Sequence, residues 1–272
     1  MTGESPDITE LLADALHEAK AEEVRTRQAA ERAQQATSIW THLNEYQAKK
    51  WHAHIVSVGE TGFFQSLRSS REARIQNLEA WLKASEEEAR AAFKKFPFDL
   101  DRECKAAGIE LDRTSRHPRY TIKNFIVIEV NEARLNVSVT PRDGNAVNIP
   151  SDVPAIVDLL QRESRRLFER AFDDQRLLKS LFTAYQAVVR EDSRDIGEDV
   201  SIRRVIHRMG KNLANFSLDE FNVDLARAIK ENKTTFEDHS LRLGHTRNTR
   251  QGMLLHELEG SGYVGFIAFR KS

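Results

Sequence analysis

The sequence predicts an α+β protein: a long helical N-terminal arm, then a mixed domain with a β-hairpin, several helices and a small C-terminal antiparallel sheet. Three observations carry this. Residues 7 to about 95 are polar and charge-laced, with apolar residues at three- and four-residue steps. Residues 120–139 switch to β-branched and aromatic residues, partly in alternation. Residues 241–269 hold three short apolar runs separated by glycines and polar turns.

The arm opens at Ser5-Pro6-Asp7, a helix start, after which Ile8, Leu11, Leu12, Ala15, Leu16, Ala19 and Val24 recur between Glu, Lys and Arg. From Ala29 to Ala36 the apolar face narrows to alanines, and it widens again at Ile39, Trp40, Leu43 and Tyr46. Small residues permit close helix approach, while the heptad pattern is too irregular and brief for a long coiled coil. A helical hairpin, or an arm docking on a partner, is therefore expected. Gly59 to Gly62 marks the break. A second helix follows from about Phe64 to Lys95, with Leu67, Ile75, Leu78, Trp81 and Leu82 on one face, and Pro97 stops it.

Phe98 to Ile109 reads as a short helix closed by Gly108. Tyr120 to Val130 reads as a strand that turns near Asn131 to Arg134 into a second containing Leu135, Val137 and Val139. Pro141 to Asn145 is a further turn, followed by a short strand at Val147 to Ile149. Ser151-Asp152 caps a helix from Val153 to about Phe172, and Asp173-Asp174 opens another with Leu177, Leu178, Leu181, Phe182, Tyr185 and Val188 on its face. Arg190 to Glu198 is an exposed loop. Ser201 begins a helix through Leu213, and Ser217 with Glu220 fits a capping box before Leu218 to Glu231. Strands at Leu241 to Thr246, Met253 to Leu258 and Tyr263 to Phe269 close the chain, a pattern compatible with a winged-helix-like module. The domain boundary falls after residue 96, giving an arm of 1–96 and a body of 97–272 with a sub-boundary near 191–200.

Composition narrows the function classes. With 40% hydrophobic and 31% charged residues over 272 positions, the chain is long enough for one or two domains with cores. A mean hydropathy of -0.56 suits an arm with much surface and little core. Basic and acidic residues nearly balance, 41 against 42, so no global field draws the chain to nucleic acid or an anionic membrane. Binding of that kind needs a local patch. One cysteine, Cys104, excludes an intramolecular disulfide and a cysteine-rich zinc site, and fits a reducing compartment. The sequence shows neither a signal-peptide pattern nor a run of eighteen apolar residues, so a cytoplasmic, bacterial-like protein is expected.

No catalytic motif stands out, and no cofactor is expected: there is no phosphate loop, nucleophile elbow or paired-histidine zinc motif. Asp101, Glu103 and Lys105 superficially match the carboxylate and Glu-x-Lys pattern of metal-dependent nucleases, which makes a nuclease one alternative reading, beside a standalone DNA-binding regulator. That pattern belongs on a strand, whereas this stretch reads as helix. His52 and His54, at i and i+2, do not share a helix face, so no metal site is expected. Two basic clusters are better candidates for nucleic acid. The first is Arg203, Arg204, His207, Arg208 and Lys211 on one helix; the second is Arg242, His245, Arg247 and Arg250 around a strand end and turn. The bland alternative pairs Arg203 and Arg204 with acidic residues such as Glu198 and Asp199, while Arg247 closes a turn. Arg162, Arg165, Arg166 and Arg170, interleaved with Glu163 and Glu169, read as a salt-bridged helix face. For a protein partner the candidates are Ile39, Trp40, Leu43, Tyr46, Trp51 and Trp81, concentrated where aliphatic content is low.

The order of a helical arm, a mixed middle and a C-terminal helix-plus-strands unit, Phe216-Ser-Leu-Asp-Glu-Phe running to Tyr263-Val-Gly-Phe-Ile-Ala-Phe, resembles small non-ATPase subunits of bacterial SMC-type complexes. It looks most like kleisin-like or accessory subunits of anti-phage and anti-plasmid defence systems such as Lamassu. The resemblance covers layout in the N-terminal third and the last sixty residues, and the chain departs from it in having no separate N-terminal neck motif. It implies a non-catalytic subunit that bridges an SMC-type ATPase, contacts double-stranded DNA and positions an effector nuclease.

Overall fold

The computed structural model describes residues 8–68, 73–258 and 262–271. The expected helix start at Ser5-Pro6-Asp7 lies outside the described residues, as do Gly260 and the side chains of Ile8, Leu11, Leu67 and Ile75. The chain divides into two compact units, Met1–Ala89 and Arg90–Ser272.

The first unit is helical: α1 (Ile8–Lys49), α2 (His52–Gly59), α3 (Gly62–Arg68) and the start of α4 (Ala73–Phe93). Its first break comes earlier than Gly59. Lys50 takes the left-handed conformation at φ 56, and the Trp51 amide reaches back to the Tyr46 carbonyl at 2.9 Å, the pattern that ends a helix. Of the expected helix from Phe64 to Lys95, α3 is described through Arg68 and α4 from Ala73 to Phe93, and residues 69–72 lie outside the described residues. Leu43, Ile55, Phe64 and Leu82 form a small core, with Ile39, Tyr46 and Trp81 packed around it. The rest of α1 has no such cover. No described side chain between residues 12 and 38 is buried, and Leu12, Leu16 and Val24 are 66%, 56% and 54% exposed.

In the second unit Pro97 does more than stop the preceding helix, because it lies in the first turn of α5 (Phe96–Ala106), where its missing N–H costs nothing. Gly108, at φ 74, then closes α5 as expected. A four-stranded antiparallel meander follows: β1 (Arg119–Ile122), β2 (Ile126–Asn131), β3 (Asn136–Pro141) and β4 (Val147–Pro150), in the order β1-β2-β3-β4. The run from Tyr120 to Val130 is thus two strands rather than one. Lys123 and Asn124 both take positive φ, 51 and 50, and make the tight turn whose twist suits a hairpin. Alternation along β3 sends Val137 and Val139 inward against Leu100 and Cys104 of α5 and Ile156 and Leu160 of α6 (Val153–Ser164). Helix α6 stops short of Phe172, because Arg165–Glu169 form a π-helical turn.

The remainder of this unit has its own core and a winged-helix-like order. Helix α7 (Asp174–Glu191) is capped by Asp173, whose side chain accepts from the Arg176 amide at 2.9 Å. After it come β5 (Val200–Ser201), α8 (Ile202–Asn212), α9 (Leu218–Lys230), β6 (Thr235–Phe236), β7 (His239–Thr246) and β8 (Tyr263–Lys271). The sheet order is β5-β8-β7-β6. Leu181, Tyr185, Val205, Leu225 and Phe269 are among the core residues joining helices to sheet. Met253 to Leu258 is not the expected third strand. It makes a single bridge to β8, Met253 to Val264, then turns inward so that Met253 and Leu255 enter the core. Burial there outweighs continued pairing.

Candidate nucleic-acid interface

Helix α8 is amphipathic for a simple reason: Ile202, Val205 and Met209 recur at three- and four-residue steps and are buried, which turns the basic residues outward. The structure divides those residues between two neighbours. Arg204 pairs with Asp192 through both carboxylate oxygens and lies 3.6 Å from Glu191, and Arg208 meets Glu191 at 3.0 Å. These acidic partners, at the end of α7, are not the Glu198 and Asp199 suggested by sequence proximity. The Arg204 pair holds the Asp192 carboxyl below its usual range. Arg203 points elsewhere and donates to the Gly252 carbonyl at 2.6 Å. His207 and Lys211 are exposed.

The Arg203 contact ties α8 to the loop after β7 and so joins the two basic clusters. That loop is ordered by Asn248. Its side chain accepts from the Arg250 amide at 3.0 Å, its carbonyl accepts from the Gly252 amide at 2.9 Å, and its own amide donates to Thr246 Oγ1 at 3.1 Å. Gly252 is required where the loop doubles back: a Cβ there would lie 2.5 Å from the Tyr263 Cβ and 2.9 Å from Thr246 Cγ2. Arg247 and Arg250 are exposed on this loop, and His245 is exposed at the bulge that precedes it. Arg242, exposed on β7, lines a cavity of about 270 Å³ with His245. It also lines a cavity of about 490 Å³ with Asp199, Ser240, Arg270 and Lys271.

Helices α8 and α9 follow one another across residues 213–217, an order in which a winged-helix module would use α9 as its recognition helix. Here that position is closed. Phe221, Leu225 and Ala226 pack into one core while Val223 packs into the other. The polar residues of α9 are consumed as well. Arg166 bonds Glu163, Asp219 and Glu220, and Arg170 bonds Asp224. Arg227 donates to the Phe168 carbonyl at 2.7 Å. Asn222, fully buried, donates to Asp143 and to the Leu254 carbonyl, each at 2.9 Å, and accepts from the His256 amide at 2.8 Å. His256 in turn lies against Phe125 and Phe168, both ring centroids 5.0 Å away.

This network corrects two expectations. The arginine run does make salt bridges, but Arg166 and Arg170 find partners 53 to 54 residues away on α9 as well as Glu163 on their own helix. Ser217 and Glu220 do not form a capping box. Ser217 Oγ bonds Asp219, and the Glu220 carboxylate is held by Arg166 at 2.8 Å. Burial pushes the Asp219 carboxyl up, yet the hydrogen bonds from Arg166 and Ser217 prevail and hold it below the usual range. For Asp224 burial dominates and raises it despite Arg170. Sequence reading missed Asp219, Asn222 and Asp224; the cue available was polar residues on the same helix as Phe221 and Leu225 but off their face.

The remaining candidates lie apart. Asp101 and Lys105 pair at 2.7 Å along α5, and Arg102 takes Asp99 at 2.9 Å and Glu103 at 2.8 Å, an ordinary solvated helix face. Among the described residues no group of three His, Cys, Asp or Glu is placed to hold a metal ion. In the first unit, Leu43 is only 3% exposed and packs internally, so it is not available to a partner. Tyr46 stacks on Trp51 at 6.0 Å, Trp81 donates to Gln47 at 3.2 Å, and Ile39 packs beside the core. Trp40 is 46% exposed, with Phe63 and Phe64 against its edges. No helix among the described residues is long and apolar enough to cross a membrane. In comparisons with known proteins, no family model, curated protein or solved structure matches the chain.

Proposed function

We propose that the chain is a non-catalytic accessory subunit of a bacterial multiprotein complex that handles DNA, in anti-phage or anti-plasmid defence. Its helical arm is the assembly element, and duplex DNA is met by the surface where α8 adjoins the loop after β7. The observation that supports the DNA part is the Arg203 bond to the Gly252 carbonyl, which ties α8 across 49 residues of sequence to the loop that carries Arg247 and Arg250. Arg247, Arg250 and Lys211 are its exposed cations, and a turn whose amides are already ordered keeps the entropic cost of binding low. Closure of α9 favours phosphate contact over base reading, because the helix that would enter a groove is buried and carries Asp219, Glu220 and Asp224. The arm supports assembly through its uncovered apolar residues. An SMC-type ATPase and an effector nuclease are the partner classes that the layout suggests.

The test is fluorescence anisotropy with a short duplex over a salt series. Arg247→Glu with Arg250→Glu should weaken binding at least tenfold and reduce the slope of log affinity against log salt by about 2. Arg204→Glu should act mainly on stability, since Arg204 is already paired. Unchanged affinity in the double variant would remove the DNA role from this surface.

A further inference from the structure

The exposed part of α1, residues 12 to 38, is a long helix without a packed face, although helices in water draw most of their stability from packing. Its larger apolar residues, Leu12 and Leu16, stand 66% and 56% exposed. Its charges are segregated. Asp14, Glu18, Glu22 and Glu23 face one lysine, Lys20, in residues 12–23; Arg25, Arg27 and Arg32 face one glutamate, Glu31, in residues 24–36. The existing pairs, Arg25 with Glu22 at 3.6 Å and Arg27 with Glu31 at 3.1 Å, are highly exposed and weak enough to re-form with another chain.

We infer that the occupant of this face is α1 of a second copy of the chain, running antiparallel, with Leu12, Ala19, Thr26 and Ala33 at heptad positions a and Ala15, Glu22, Ala29 and Ala36 at d. Leu16 lies beside the seam at e, seam pairs sum to 48, and the flanking g positions, Glu18, Arg25 and Arg32, sum to 50. In this register Leu12 meets Ala36 of the partner subunit, and the acidic half of each helix lies along the basic half of the other. Flanking the seam, Glu18 faces Arg32 of the partner subunit on both sides of the two-fold axis. Arg25 meets its own copy at the axis, where the Glu22 beside each guanidinium offsets the repulsion. A parallel pair is disfavoured, since the same heptad assignment sets Glu18 against Glu23 of the partner subunit. The inference rests on reading the arm as the assembly element. It assigns residues 12 to 36 to self-pairing and leaves Trp40 for other subunits.

Sedimentation equilibrium of the full chain should show a concentration-dependent dimer. Glu18→Arg should weaken dimerisation about tenfold, and adding Arg32→Glu should restore it to within about threefold. Orientation is read by cross-linking. The double variant Ala15→Cys, Ala33→Cys should oxidise to a disulfide-linked dimer, while neither single variant should. Cys104 does not interfere, being fully buried with its thiol pushed up to about 12 by burial. A monomer at every concentration, cross-linking of either single variant, or no rescue by the charge swap overturns the inference. Duplex affinity measured on the same samples separates its failure from that of the DNA reading, since Arg247 and Arg250 lie outside the arm.

Discussion

Arg166 shows how much one side chain can carry. Its guanidinium, a third exposed, binds three carboxylates, of which Asp219 is 4% exposed. Charges of one sign left in such a place are costly, so Arg166→Met should destabilise the body by about 3 kcal/mol in urea unfolding at neutral pH. The pH dependence follows from the sign of the Asp219 shift. A carboxyl held below its usual value in the fold contributes stability that is complete above its unfolded value, about 3.9, and is lost as pH falls through the folded value. The wild-type protein should therefore lose stability below about pH 4, and Arg166→Met should flatten that acid slope. An unchanged slope would mean that Asp219 is stabilised by something other than Arg166.

Elements here take their roles from what covers them. Helix α9 has a recognition helix's place in the element order but the surroundings of a core helix, with Asn222 bonded on both sides and Val223 in the neighbouring hydrophobic cluster. Helix α8, by contrast, buries one face and leaves cations on the other, and the loop of residues 247–252 is brought to it by a single arginine. Gly252→Ala should displace that loop, because the added methyl has no room beside Tyr263 and Thr246. The expected result is a loss of 1 to 3 kcal/mol, roughly, in thermal or urea unfolding, together with weaker duplex binding. Binding at full strength in this variant would show that the loop's arrangement is irrelevant to contact.

For the whole chain, the division at residue 89 separates two kinds of stability. The body cores draw on residues from Phe93 onward, and the core of the first unit lies between Ile39 and Leu82. A protein comprising residues 90–272 should therefore fold and unfold cooperatively, with near-UV circular dichroism of an ordered aromatic core. It should keep duplex binding through Arg247 and Arg250 while losing self-association. A molten 90–272 fragment would show that the arm is needed for the body to fold. Most elements of both units were legible in the sequence, because three- and four-residue apolar steps mark α7 and α8 and alternation marks β3. The break at Lys50 and the turn at Lys123-Asn124 were not, since lysine at positive φ leaves no compositional trace and Asn124, which tolerates it, sits between β-branched and aromatic runs that read as one strand.

The sequence by itself determined what local chemistry can determine: an α+β order, a helical arm, basic residues turned outward on α8, and the absence of familiar catalytic motifs. Only the tertiary structure decided which charges are spent and which remain available. Arg204 and Arg208 are paired with the end of α7, Arg166 and Arg170 hold α9, and Arg247 and Arg250 stay exposed. The reason is distance along the chain. Helical and strand periodicities extend over a few residues, whereas the partners of Arg166 are as far as 54 residues away, and only folding brings them within hydrogen-bond reach.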